Sequence, residues 1–293
     1  MLLLLLLTIS CLLLLLVSCL AAKDAEVVGV RVLDCAGSGS VSDVVAGLDW
    51  VATHHRKPAI VTMSLGIGVG SWSRALEEAV RNLIMEYGIT VIVASGNSGV
   101  DSCHVAPGNV EEPITGAPPS PILSPFPSLS PPPSLPPLSL KFPLEEKIRL
   151  TGSSIFCLTQ RTVAASDLST KFGQTSGRDQ ESLYRWSNTG QCIDLFAPGV
   201  DIYSACGGDS RCAAVTDSAY AWASGTSMAV PLVAGVAANY LAEHPSASPA
   251  QVKAKILGSA THGKLQSPHM KPGSPNLLLY SRLDGAPVIA HGG

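Results

Sequence analysis

The sequence predicts an α/β fold with a parallel sheet. Two observations carry this: short apolar runs alternate with longer stretches whose apolar residues recur at helical spacing, and turns of small residues separate the two. "EVVGVRVLD" (26–34) reads as a buried strand, and Val41, Val44, Val45, Leu48 and Val51 then mark one face of a helix. "AIVTMSLG" (59–66) returns to a strand. A second helix is expected from about Ser73, its cap, with Glu77 and Glu78 near the positive end of the dipole and Leu76, Val80, Leu83, Ile84 and Tyr87 on its apolar face. Gly88 would end it. "ITVIVASGN" (89–97) is the next strand and leads into a small-residue loop.

The alternation stops at 118–143, where eleven prolines and one charge exclude helix and interior strand and leave an extended, polyproline-like or disordered segment. From Thr162 the pattern resumes with "TVAASD", then "CIDLFAPG" (192–199) as strand and turn, then a long apolar helix after "GTSMAVP" (225–231). Pro231 is expected near the first turn of that helix, where a missing N–H is harmless. A last helix opens on the capping box "SPAQ", in which Ser248 caps, Pro249 starts the helix and Gln251 reaches back.

With 46% hydrophobic and 14% charged residues in 293, the chain can bury a substantial core. A net charge of −3 with no basic run excludes an electrostatic footprint for nucleic acid. None of the eight cysteines has zinc-ligand spacing, so disulfides in an oxidising compartment are the better reading. The apolar run from Leu2 to about Ala22 reads as a secretory signal, with Cys19 and Ala21 as small residues at a cleavage site, or as a membrane anchor, or as a mistaken start to the chain. Secretion is the expected localisation, and a membrane is a partner only if the run is an uncleaved anchor.

Ser227 stands between a glycine-containing turn and the long helix. A nucleophilic serine needs an exposed hydroxyl, a base and donors aimed at the developing oxyanion, and a helix N-terminus adds backbone N–H groups and the positive dipole end. A Gly-x-Ser alone would more often be a simple cap. Here "VRVLDCAGSGSVSDVVAGLDWV" (30–51), "VTMSLG" (61–66), "VIVASGNS" (91–98), "CIDLFAPG" (192–199), "ASGTSMAVPLVAGVAA" (223–238) and "GSPNLLLYSRL" (273–283) occur in one order. Together they resemble the subtilases, in the branch of proteinase K and aqualysin. The resemblance implies a subtilisin-like parallel sheet with helices on both faces, incomplete at the N-terminus. It implies a serine endopeptidase that cleaves protein or peptide substrates through an acyl-enzyme on Ser227. Asn97 would donate its side-chain amide to the oxyanion, and Ser64, Leu65 and Gly66 would pair with substrate backbone as an added strand. Catalysis of this kind requires no cofactor.

The departures from the family pattern matter as much. Its aspartate, in an early D-[ST]-G strand, and its histidine, in an H-G-T-H helix, both precede the segment matching "VRVLDC", and neither motif is present. His54 and His55 end a helix before "RKPA", where surface or cap placement is expected. Asp34 belongs to the "VLDC" match and is not promoted to a triad. Without a base the chain is expected to be nearly inert as written, and a non-catalytic secreted pseudoprotease that binds peptides is the competing reading. Loss of the early strand is also expected to expose a sheet edge.

By resemblance, Cys103 and Cys192 pair, and Cys35 loses its partner. Cys206 and Cys212 frame "CGGDSRC", which could close locally or hold two free thiols. Asp194 matches a calcium-ligand aspartate whose companion ligands in that branch are backbone carbonyls near "EEPI" (111–114), where the insertion enters; a structural calcium is one reading of it and a solvated loop carboxylate the alternative. Joining 110–114 to 162–167 restores the family pattern, and "IFCLTQ" (155–160) could be the end of a retained intron. The organisation is thus a signal-like or mistaken segment (1–22), a first peptidase part (23–114), a Pro-rich insertion (115–161), a second part with the nucleophile (162–283) and a tail (284–293).

Overall fold

Strands of this chain that are apolar on both faces need covering on both, and the computed structural model shows how they obtain it. It describes residues 3–6, 22, 25–34, 37–110, 162–167, 181–205 and 220–281. The insertion at 115–161, the tail, Cys35, Cys206 and Cys212 lie outside the described residues. The first sheet is parallel and holds β1 (Leu3–Leu6), β2 (Glu26–Gly29), β3 (Ala59–Met63) and β4 (Thr90–Val93) in the order β2-β1-β3-β4. Between its strands run α1 (Val41–His54) and α2 (Arg74–Met85).

In β3 and β4 alternate residues serve opposite faces. Val61, Met63, Val91 and Val93 join Val44, Leu48 and Val51 of α1 and Leu76, Val80 and Leu83 of α2 in one core. Ile60 and Ile92 enter a second core on the other face, built on the later helices. Of the face expected for α2, Leu76, Val80, Leu83 and Ile84 are buried, whereas Tyr87 lies past the helix end and meets the edge of the His55 ring. Ser73 caps α2 by accepting from the Leu76 N–H, and Gly88 follows at φ +59°, a conformation that costs glycine nothing. Ser40 and Asp43 form a capping box at α1.

The second sheet contains β5 (Thr162–Asp167), β6 (Glu181–Leu183) and β7 (Ile193–Pro198), and a separate hairpin joins β8 (Ile202–Ala205) to β9 (Tyr220–Ala223). The long helix α3 (Thr226–Glu243) and α4 (Pro249–Ser259) follow, α4 with the expected Ser248–Gln251 capping box. The short strands β10 (Thr261–His262), β11 (Leu265–Gln266) and β12 (Leu277–Leu278) complete the order β10-β12-β7-β5-β6-β11. This sheet is mixed: β5–β7, β7–β12 and β6–β11 are parallel, while β5–β6 and β10–β12 are antiparallel. Helices on both faces of a parallel-containing sheet match the predicted class.

Two features differ from expectation. The leucine run, read as leader, anchor or mistaken start, contributes Leu3–Leu6 as a strand between β2 and β3, in register with Glu26–Gly29 on one side and Ala59–Thr62 on the other. The neighbouring backbones each offer a row of N–H and C=O groups, and an extended apolar segment satisfies both rows. The missing early strand therefore leaves no gap at this position. Pro231 is the sixth residue of α3, beyond the first turn, so one carbonyl of the helix loses its amide partner.

The pairing of Cys103 with Cys192 is present, with Cα atoms 5.2 Å apart and a sequence separation of 89. It ties the 3₁₀ turn Ser102–His104 to the start of β7. Loop-closure entropy for a separation of that length gives about 4–5 kcal/mol. Replacing both cysteines by serine is expected to lower the unfolding free energy in urea by about that amount, and a loss below about 1 kcal/mol would show that the bridge does not constrain the unfolded chain.

Candidate active site

Ser227 is the second residue of α3, and the chain reaches it through a conformation that only glycine adopts freely. Gly225 has φ 155° and ψ 167°, and its N–H donates to the Gly199 carbonyl at 2.7 Å, which fixes the turn against the end of β7. A Cβ on Gly225 would stand 3.4 Å from the side chain of Asn97. The first-turn N–H groups of a helix have no intrahelical acceptor. That of Thr226 goes to Asn97 Oδ1 at 2.8 Å and that of Met228 to the Gly225 carbonyl at 3.0 Å. The Ser227 N–H has no acceptor among the described residues. Ser227 itself is half-buried, whereas Thr226 is fully buried.

Asn97 follows β4 on an exposed loop. Its Oδ1 accepts from both the backbone and the hydroxyl of Thr226, at 2.8 and 3.1 Å. An amide held by its oxygen has its NH₂ end as the donor. What holds this loop is a residue that no local sequence pattern announces, the buried Asn188 in the turn before β7. Its Nδ2 donates to the Ser95 carbonyl at 2.6 Å, its Oδ1 accepts from the N–H groups of Ser98 and Val100 at 3.1 and 3.0 Å, and its own N–H donates to the Gly96 carbonyl. These bonds bracket Asn97 on both sides. Gly96, at φ +98°, has no room for a side chain, since a Cβ there would lie 2.5 Å from Asn188 Nδ2.

The carbonyl released by Pro231 belongs to Ser227. An N–H at position 231 would have bonded to it in the i→i−4 ladder, and in its place the Ser64 hydroxyl donates to it at 3.3 Å. Ser64 opens the extended stretch after β3. Ile67 donates its N–H to the Ala106 carbonyl at 3.0 Å, but no backbone hydrogen bond among the described residues uses the N–H or C=O of Ser64, Leu65 or Gly66. Among the described residues the segment is an unpaired edge beginning beside Ser227.

None of the described histidines is hydrogen-bonded to Ser227. His54 Nδ1 lies 2.9 Å from the Trp50 carbonyl with its ring stacked on that indole, and His55 Nδ1 lies 3.0 Å from the Ala52 carbonyl, both at the C-terminus of α1 as expected. His244 ends α3 against the Tyr240 ring. His104 lies in the 3₁₀ turn, His262 in β10, and His269 donates its N–H to Ser267 Oγ. Asp34 accepts from the Ser38 N–H at 2.9 Å in a local turn.

Asp194 is the second residue of β7. Its Oδ1 is 2.8 Å from Lys253 Nζ of α4, and the two side chains are only 9% and 10% exposed. Among the described residues no group of three His, Cys, Asp or Glu side chains could hold a metal ion. The calcium expected at Asp194 thus meets a carboxylate that already carries a cation.

Residues 20–274 match the profile of the Subtilase family, peptidase S8. This chain belongs to the subtilase family. It is 36% identical over 263 residues to the alkaline serine exoprotease A of Vibrio alginolyticus, covering 90% of this chain and 35% of that protein. To the extracellular serine proteinase of a Thermus species it is 36% identical over 260 residues, covering 89% and 46%. The chain therefore spans between about a third and a half of the length of these curated relatives. A cold-adapted subtilisin-like serine proteinase of known structure superposes with a TM-score of 0.58 at 33% identity, over 87% of this chain and 67% of that one. Subtilase membership supports a serine peptidase, and the fold is subtilisin-like.

The link between Ser64 and Ser227 can be tested by a double-mutant cycle. Ser64→Ala is expected to cost about 1 kcal/mol by leaving the carbonyl of residue 227 unpaired. In a Pro231→Ala background, where an N–H can reach that carbonyl, the same change should cost almost nothing. Equal costs in the two backgrounds, measured by urea unfolding, would show that the hydroxyl does not fill the gap.

Proposed function

We propose that this subtilase chain binds extended polypeptide along the Ser64–Gly66 edge and presents a peptide carbonyl to Ser227. A substrate strand laid on the edge would exchange main-chain hydrogen bonds with residues that spend none elsewhere in the described structure. Attack by Ser227 Oγ forms the C–O bond of a tetrahedral intermediate and places negative charge on the former carbonyl oxygen; breaking of the peptide C–N bond then leaves the acyl-enzyme, and the departing amine takes up a proton in place of the one lost from the hydroxyl. Two donors are held to receive it, the amide NH₂ of Asn97 and the Ser227 N–H. The single observation that carries this reading is the grip of Thr226 on Asn97 Oδ1, which turns the amide so that its donor end is free one residue from the nucleophile.

The hydroxyl proton needs an acceptor, and in this reading the chain is poor in one. Six of the seven histidines are described, none of them hydrogen-bonded to Ser227 among the described residues, and the seventh, His291, is outside the described residues. Loss of the base in a serine triad costs about 10⁶-fold in turnover, and oxyanion contacts with binding retain roughly 10³–10⁴ over water. On this reading peptide binding outlasts catalysis, and hydrolysis is slow. Extracellular residence is part of the proposal, supported by the disulfide. No helix of the described residues is long and apolar enough to cross a membrane. The partners are peptides, not nucleic acid.

The test uses the full chain and its Ser227→Ala variant with a fluorophosphonate probe and a fluorogenic peptide. Slow labelling that depends on Ser227, with hydrolysis falling by about 10²–10³-fold in Asn97→Ala, is the expected outcome. Labelling and hydrolysis as fast as in a protease with its full triad, abolished by Ser227→Ala, would overturn the claim of a missing base. Labelling unaffected by Ser227→Ala would overturn the nucleophile.

A further inference from the structure

We propose that Lys253 is the resident cation of Asp194 and takes the place of a metal ion at the start of β7. The pair is direct, at 2.8 Å, and each side chain is about nine-tenths buried. A carboxylate so far from water requires a compensating charge, and one supplied by the chain cannot dissociate. Calcium needs six to eight oxygens at 2.3–2.6 Å, and a calcium ion on Asp194 would stand beside the fixed ammonium group. Like charges at that separation repel, and the described residues assemble no acidic cluster to offset this.

The position gives the pair its consequence. Asp194 lies two residues after Cys192, so β7 is pinned at one end by the disulfide and by an ion pair to α4. The other end of β7 leads to Gly199, whose carbonyl receives the Gly225 N–H just before the nucleophile. Lys253 reaches this strand from a helix with its own capping box, which sets the direction from which the ammonium arrives. The charge at the site is thus balanced from within by the Lys253 ammonium on Oδ1, while Oδ2 is a buried oxygen that makes no hydrogen bond among the described residues.

Thermal unfolding of the full chain in calcium or in EGTA tests this, with Asp194→Asn, Lys253→Met and the double variant alongside. The wild type and Asp194→Asn are expected to respond identically to calcium, whatever response other parts of the chain give. Lys253→Met should lower the melting temperature by roughly 6–20 °C, since it strands a buried charge. It should also gain a calcium response, because no fixed ammonium then repels the ion. The double variant should recover much of the loss, which keeps the comparison open if the single variant folds poorly. A calcium-dependent rise in the wild type that disappears in Asp194→Asn would overturn the proposal, as would a Lys253→Met chain as stable as the wild type.

Discussion

The site depends on the burial of one helix. Ala229, Val230, Val233, Ala234, Val236, Ala237, Ala238 and Leu241 of α3 are all nearly inaccessible, and they share a core with Ile60 of β3, Ile92 of β4 and Leu195 and Ala197 of β7. Small side chains let the helix lie close to three strands at once, and close packing leaves it little freedom to slide. The position of Ser227 is therefore set by the interior of the protein and not by a surface loop. The glycine turn, the amide of Asn97 and the hydroxyl of Ser64 are each arranged around a point that packing has already fixed.

Around that point the polar contacts form a short relay. Asn188 shapes the loop, the loop presents Asn97, Thr226 orients its amide, and Thr226 is the residue before Ser227. On the other side, Pro231 opens a gap in the helix ladder and Ser64, at the start of the extended stretch after β3, closes it. A pair of otherwise unfavourable residues, a glycine with positive φ and an intrahelical proline, thereby become means of positioning.

Much of this was legible in the sequence wherever the signal is local. Ser73 and the Ser248–Gln251 box announce helix starts because a cap and its partner lie within one turn. The apolar faces of α1 and α2 read correctly because helical periodicity survives without knowledge of the partner. Strand limits were less legible: 30–34, 64–66 and 95–97 follow their strands with no proline or charged run to mark a break, yet they leave the sheet to form turns and the extended Ser64–Gly66 stretch. Two features had no readable signal. A uniform leucine run carries no period by which to place β1, and Lys253 looks like any helix-surface lysine until the fold carries Asp194 to it.

The place of β1 sets export against assembly. Removal of a leader ending near Ala22 would also remove the strand that separates β2 from β3, whose backbones would then face each other across an empty lane about two strand spacings wide, near 10 Å. The same four leucines cannot be discarded at a membrane and retained within the sheet. A chain that reaches the exterior with its first sheet whole must therefore have kept its beginning, and one that has been trimmed must draw β2 and β3 together or leave them apart.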